Sequence, residues 1–469
     1  MCSALSIYLD GRGHDIRVLI PFYSTIDTSA LEVTPVEGLQ ELELSTGYQT
    51  FHYSIDSTAL PGSELMVFLL RCDELFHHDE MYSGQDEHLR FAFLSRAAIE
   101  MCQHMEFAPD IFHCHDWHTA LVPLYLKTLY AWDSLFEETR SVLTIHNIAY
   151  QGVFGSSALD DIGLPDYQDR FDRDDLEGGR INFMKTGVRH ADFLTTVSPT
   201  YAEEILLPEF GMGLDGLLRQ RHADLLGILN GVDYTEWDPE TDPLIPERYS
   251  ADDMAGKKKN KQELIKAFQL DSSVGTPIIG MVTRLTWQKG LELVQEAIPD
   301  LLGQREFSLL VLGSGEKKYE NYFHWLYNKF PGRVGFYHGF DNQLAHLVEA
   351  GSDLFLMPSR YEPCGLNQMY SLRYGTVPIV RATGGLADSV EHYDSASGKG
   401  TGVVFRDFDA GGLNWAVNFA LDLYQNQKNW SQLVCNGMAK NFSWKHQGRA
   451  YENLFSSLID NRRSPLAGE

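Results

Sequence analysis

No stretch of this 469-residue sequence is apolar for long enough to cross a bilayer. Its first residues, Met1 to Asp15, lack the basic start and apolar core of a secretory leader. Cysteine is scarce. Cys2, Cys72, Cys102, Cys114, Cys364 and Cys435 show neither metal-ligand spacing nor a compact disulfide framework. Most are therefore expected to be buried thiols, in a reducing, cytoplasmic setting. Positive charge is also short: 38 Lys and Arg face 65 Asp and Glu, a formal net charge of -27. Such a field repels nucleic acid and anionic membranes, and neither is expected as a partner. An anionic ligand would need a local basic pocket inside this acidic body.

What is present is ordinary for a soluble globular chain, with 43% hydrophobic and 22% charged residues. The length exceeds one typical core, so two domains are expected. Short apolar runs alternate with helical patterns, which predicts an α/β fold with parallel sheets covered on both faces. In the first half, strands are expected at Ile16–Tyr23, Glu64–Arg71, Ile111–His115, Ser141–His146, Phe193–Val197 and Leu225–Leu229. The clearest helices are Asp86–His104 and Ile181–His190. The segment Asp233–Asn260, with Pro239, Pro243, Pro246 and the run Lys257–Lys259, has linker composition. The alternation then restarts, with strands expected at Pro277–Val282, Ser308–Leu312, Val334–Tyr337, Leu354–Met357, Val377–Arg381 and Val403–Phe405. The expected domains are 1–240, 241–440 and a closing helix in 441–469 that returns to the first domain. Open α/β sheets bind ligands beyond the carboxyl ends of their strands, so the site belongs in the cleft between two such sheets.

Unusual residues cluster at those strand ends. Ile111–Phe112 leads into His113, His115, Asp116, Trp117 and His118. The histidines invite a zinc reading, but no acid or cysteine is spaced to close such a site, and no metal is expected. An Asp beside a Trp suits a sugar, whose hydroxyls donate to carboxylates and whose C–H faces lie on rings. The next strand ends at His146. In the second half, Arg284 and Lys289 flank a loop that opens a helix. They form a diphosphate clamp or, equally, two solvated surface charges. Glu362 precedes another helix, next to Cys364 and Gly365. A further strand ends at Arg381 and leads to Thr383, Gly384 and Gly385, again opening a helix. Two adjacent Gly-bearing turns predict one concave anion-binding wall.

The segments Ser359–Gln368, Arg373–Pro378 and Thr383–Asp388 resemble bacterial glycogen synthases and plant starch synthases. His115–His118, Thr144–Gly152, Val197–Tyr201, Leu229–Asp233 and Arg284–Gly290 match the same family in the same order, over nearly the whole chain. The resemblance implies two Rossmann-like domains facing across a cleft, the GT-B type. It implies transfer of glucose from ADP-glucose to the non-reducing 4-hydroxyl of an α-1,4-glucan, with retention and without a metal or other cofactor. Residue by residue, it places His146 beside the reacting sugar and has Glu362 and Asp116 hold sugar hydroxyls. Arg284, Lys289 and the Thr383–Gly385 turn meet the diphosphate. Cys364, Gly365, Leu366 and Asn230 line the sugar pocket, Phe340 lies against adenine, and Tyr82 is a further donor-site residue. Tyr370 stands where related transferases carry a second Glu, which agrees with this narrower family.

One departure bears on activity. The family begins with a strand and a Lys-Thr-Gly-Gly-Leu-Ala-Asp loop, whereas Met1–Leu5 resembles the start of the helix that follows. The expectation is a first sheet lacking a central strand, with reduced stability and activity. The alternative reading is a catalytically impaired glucan-binding or regulatory homologue.

Overall fold

The alternation of apolar runs and helices becomes two sets of parallel strands in a computed structural model that describes residues 1–78 and 86–463. The chain divides into two units. The first comprises Met1–Val197, Ala202–Ile228 and Gly448–Glu469, and the second Ser198–Tyr201 and Leu229–Gln447. The division falls at Ile228, upstream of the 240/241 boundary expected from linker composition. Contacts within the second unit explain this: Val232 bridges Ser443, and Gly231 lies against the ring of Trp444.

In the first unit, β1 (Val18–Pro21), β2 (Thr34–Pro35), β3 (Leu42–Thr46), β4 (Gln49–Ala59) and β5 (Met66–Arg71) form one sheet in the order β1-β5-β4-β2, with β3 on β4. The β4 hairpin was not anticipated from α/β alternation. Its signal is a period of two, with Phe51, Tyr53 and Ile55 buried on one face, after a turn at Gly47. A second sheet holds β6 (Ile111–His115) and β7 (Arg140–Ile145). The short hairpin β8 (Val153–Gly155) with β9 (Arg180–Asn182) intervenes in the chain. Then β10 (Phe193–Thr196) and β11 (Leu225–Gly227) complete the order β11-β10-β7-β6, all parallel. Among the described residues no strand pairs β1 with β6, so the first unit carries two sheets where one interrupted sheet was expected.

The second unit holds β12 (Ile278–Val282), β13 (Ser308–Gly313), β14 (Val334–His338), β15 (Leu354–Met357), β16 (Val377–Arg381) and β17 (Val403–Phe405). All are parallel, in the order β14-β13-β12-β15-β16-β17. This is a doubly wound sheet whose direction of winding reverses between β12 and β15. Its inner strands β12, β13, β15 and β16 are largely buried on both faces, as their near-continuous apolar runs require, while the edge strand β14 ends exposed at Tyr337 and His338. The end of the supposed linker, from Ala255 to Asn260, joins the residues from Lys261, where a helix was expected at Lys261–Phe268, in one helix, Ala255–Ala267. Its lysines are not merely solvated: Lys257 Nζ donates to Thr376 Oγ1 (2.6 Å) and Lys261 Nζ pairs with Asp353 (2.6 Å). No described helix is long and apolar enough to cross a membrane.

Beside Lys257 lies Glu349, buried in the helix Asn342–Gly351, with one oxygen accepting from Ser371 Oγ (2.7 Å). Burial pushes its carboxyl up to about 8, opposed by Ser371 and Lys257, and burial pushes Lys257 down to about 7. The folded chain therefore holds an extra proton on Glu349 from the ordinary 4.5 up to about 8, and stability declines as pH rises through that window. The slope is at most ~1.4 kcal/mol per pH unit. Lys257 acts oppositely from about 7 to 10.5, where the unfolded chain holds the extra proton. Glu349→Gln is expected to flatten the decline of the urea midpoint between about pH 5 and 7. An unchanged slope would remove burial of Glu349 as its cause.

Candidate functional site

A cavity of about 330 Å³ opens at the carboxyl ends of β12 and β15, where the winding reverses. Open α/β sheets place ligands at such a point because the helices following the two strands run to opposite faces and leave a crevice. Val282, Thr283, Arg284 and Lys289 line it from the loop after β12, and Met357, Pro358, Ser359 and Glu362 from the turn after β15. Gly365, Leu366 and Asn367 close it at the start of the helix Asn367–Arg373.

Glu362 is the charged centre of this cavity. One carboxylate oxygen accepts from Lys289 Nζ at 2.7 Å and from Ser359 Oγ at 2.8 Å. Glu362 is only 5% exposed, so its charge needs both partners. Arg284 is exposed at the rim. The cavity thus carries two cations against one carboxylate, a local basic pocket in an acidic chain. Ser359 and Thr283 were not anticipated. Ser359 sits three residues before Glu362 in the same turn, a spacing that could have identified it.

The wall formed by the two Gly-bearing turns needs correction. Gly385 N–H donates to Glu362 O (3.1 Å) and Pro363 O (3.2 Å), so that amide is not turned toward an anion. A Cβ on Gly384 would stand 2.0 Å from Glu362 O, and one on Gly385 2.1 Å from Cys364 O. These glycines permit the two turns to pack against each other. Thr383 is buried beside them. Cys364 is buried, with its thiol pushed up to about 12 by burial and accepting from the Asn230 N–H. Asn230 Oδ1 is buried without a hydrogen-bond partner. Phe340 stands 71% exposed after β14, outside the cavity lining. Tyr82 lies outside the described residues.

The first unit collects its own polar strand ends. Asp116 follows β6 and His146 follows β7, and Asp116 Oδ1 accepts from the amides of His146 (2.8 Å) and Asn147 (3.3 Å). To reach them Asp116 adopts φ 53° and ψ -166°, a region nearly reserved for glycine. Burial raises its carboxyl to about 7 against the lowering effect of the two amides. Burial also drives His146 and His118 down to about 4 and His113 to about 3, so these rings are neutral. His118 stacks on Trp117 at 4.2 Å, and His113 Nε2 bonds Thr144 Oγ1 at 2.6 Å. No cysteine is spaced along the sequence to close a site with these histidines, but in space Cys2 comes close to His115 and His146. The sequence hides this because Cys2 belongs to the first helix, Cys2–Asp10, far from β6 in the chain.

Asp116→Ala, which strands two amides, is expected to cost about 1–3 kcal/mol in urea unfolding. Asp116→Asn, which keeps an acceptor at the same atom, should cost less than half as much. Equal losses would show that charge, not the acceptor, holds the turn.

Comparison with known proteins supplies the context for these two groups. The sequence model described as "Starch synthase catalytic domain" matches residues 1–220, and that described as "Glycosyl transferases group 1" matches residues 257–433. The chain is 43% identical over 468 residues to glycogen synthase 1 of Geobacter sulfurreducens, covering 98% of this chain and 92% of that protein. It is 40% identical to a glycogen synthase of Thermodesulfovibrio yellowstonii, over 96% of this chain and 92% of that one. Among solved structures, the catalytic domain of Arabidopsis thaliana starch synthase IV, bound to ADP and acarbose, superposes with a TM-score of 0.91. The identity is 32%, over 98% of this chain and 95% of that one. A sucrose-phosphate synthase of Thermosynechococcus elongatus, at 16% identity and TM-score 0.60, shares the fold alone.

Proposed function

The chain belongs to the family of glycogen and starch synthases, glycosyltransferases of GT-B fold, and on that premise we propose how its residues transfer glucose. The donor is ADP-glucose, the acceptor the non-reducing 4-hydroxyl of an α-1,4-glucan, and the anomeric configuration is retained. The observation that carries this reading is the Lys289–Glu362 pair inside the cavity at the winding reversal.

Breaking the bond between glucose and diphosphate leaves positive charge at the anomeric carbon and negative charge on the leaving phosphate. Arg284 and Lys289 stabilise the latter, and they do so best in the transition state, when that charge is largest. Glu362 holds Lys289 in place and presents its other oxygen to glucose hydroxyls. Cys364, Gly365, Leu366 and Asn230 shape the glucose pocket. Gly384 and Gly385 serve through the packing of the turn, the Gly385 amide being taken up by Glu362 O and Pro363 O, and Thr383 belongs to the same turn. Phe340 offers an exposed ring to adenine, and Tyr82 is a further donor-site residue. The phosphate oxygen freed on the reacting face takes the proton of the attacking 4-hydroxyl. In the first unit, His146 is neutral and fixed through its amide by Asp116, and serves as an uncharged donor or acceptor for a sugar hydroxyl. The setting is cytoplasmic.

The test incubates the full chain with ADP-glucose or UDP-glucose and a glucan primer, following nucleotide release and chain extension. Extension at least about tenfold faster with ADP-glucose is expected, a difference of about 1.4 kcal/mol in transition-state binding. Glucan binding without nucleotide release would overturn the reading.

A further inference from the structure

We propose that Cys2, His115 and His146 form a site for one zinc-like divalent ion in the first unit, and that the bound ion stops glucose transfer by occupying His146. One ligand atom from each residue lies within 4.8 Å of the other two. His115 Nδ1 faces His146 Nε2 at 3.1 Å. Two imidazole nitrogens bound to one tetrahedral zinc stand roughly 3.3 Å apart, given Zn–N bonds of about 2.0–2.1 Å. The two rings therefore already hold close to the separation the ion requires. Without an ion the same nitrogens share a single N–H···N hydrogen bond.

The main chain at both histidines is held from outside the cluster. His115 ends β6, with its amide donating to Thr119 Oγ1 (2.6 Å), and the His146 amide is held by Asp116. Cys2 is exposed at the start of the first helix, which leaves an entry path for the ion. One sulfur and two imidazoles select a borderline or soft ion over Mg²⁺ or Ca²⁺, which take oxygen ligands. Three protein ligands leave the fourth position to water. The inhibitory half rests on the role given to His146 above; the binding half does not.

The experiment uses the full chain, stripped with chelator. It is titrated with Zn²⁺ against a chromophoric competitor, and separately with Co²⁺ while its visible and thiolate charge-transfer absorption is followed. Expected are one equivalent of metal and a thiolate–cobalt band in the unaltered protein and in the Cys435→Ser control. Cys2→Ser, Cys2→Ala and His115→Gln should weaken binding at least about tenfold, and both Cys2 variants should lack the thiolate band. At a buffered zinc level that saturates the site, the unaltered protein should lose glucose transfer while Cys2→Ser keeps it. Equal metal affinity in the Cys2 variants, or a cobalt spectrum without the thiolate band, overturns the site. Metal binding with undiminished turnover overturns the inhibition. No transfer in the metal-free protein is a failure of the enzymatic reading, and the cobalt spectrum still decides the site.

Discussion

Glu362→Ala is expected to lower kcat by roughly 10²–10³-fold, the range found when one preorganised transition-state contact is removed. KM for the glucan should change little, because the proposed role of Glu362 is toward the donor glucose and Lys289. The variant also leaves Lys289, half-buried, without its 2.7 Å partner, and Ser359 without its acceptor. Stability should therefore fall along with activity. Fully buried pairs lose about 3–5 kcal/mol when one partner is removed, and the partial exposure of Lys289 sets a lower figure here. Lys289→Met alone should be as harmful, since it strands a carboxylate that is 5% exposed. Combining Glu362→Gln with Lys289→Met separates the two effects. The double variant should recover much of the melting temperature, because no buried charge remains unpaired, and recover none of the turnover. Recovery of turnover would mean that the pair supports the fold alone.

Gly385→Ala should be among the most damaging methyl additions at the site, and its φ adds no strain of its own to the clash. The new Cβ would stand 2.1 Å from Cys364 O and 2.5 Å from Cys364 Cα, both main-chain atoms that cannot rotate away. Relief requires the two turns to separate, which breaks the Gly385 N–H bonds to Glu362 O and Pro363 O and displaces Glu362. Overpacking of this kind costs about 1–3 kcal/mol, and more when backbone must move. Loss of the Lys289–Glu362 geometry should remove transfer as well. Gly303→Ala, in the helix Leu291–Gln304, is the matched control. It has nothing within 4 Å, so it should change nothing or stabilise by about 0.5–1 kcal/mol. If thermal unfolding and nucleotide release show Gly385→Ala equal to Gly303→Ala, close packing of the turns is not what requires the glycine.

These two predictions separate what one-dimensional pattern reveals from what it hides. The strands of the second unit were legible because most are short apolar runs, the inner ones buried on both faces, bounded by polar turns and helices. Glu362, Lys289 and Arg284 were legible because each follows such a run, and the carboxyl end of a parallel strand is where ligands bind. By contrast, the antiparallel hairpin on β4 was passed over, since its period of two does not fit α/β alternation. The first turns of the helix Ala255–Ala267 fell inside the stretch of linker composition, which ended at Asn260; Lys257 belongs to those turns, and nothing within the segment shows that Thr376 lies beside it.

By itself, then, the sequence determined the class of fold, the family and the strand ends where chemistry gathers. All three are properties of local pattern: periodicity, polar termini and ordered motifs survive in one dimension. Only the tertiary structure decided which of those residues meet. It paired Lys289 with Glu362 and turned the Gly385 amide onto the neighbouring turn. It bound Asp116 to the amides before His146 and Asn147, and brought Cys2 to His115 and His146. Each of these is a contact between segments far apart in the chain. Such contacts depend on how strands are ordered in a sheet, and no spacing within a segment records that order.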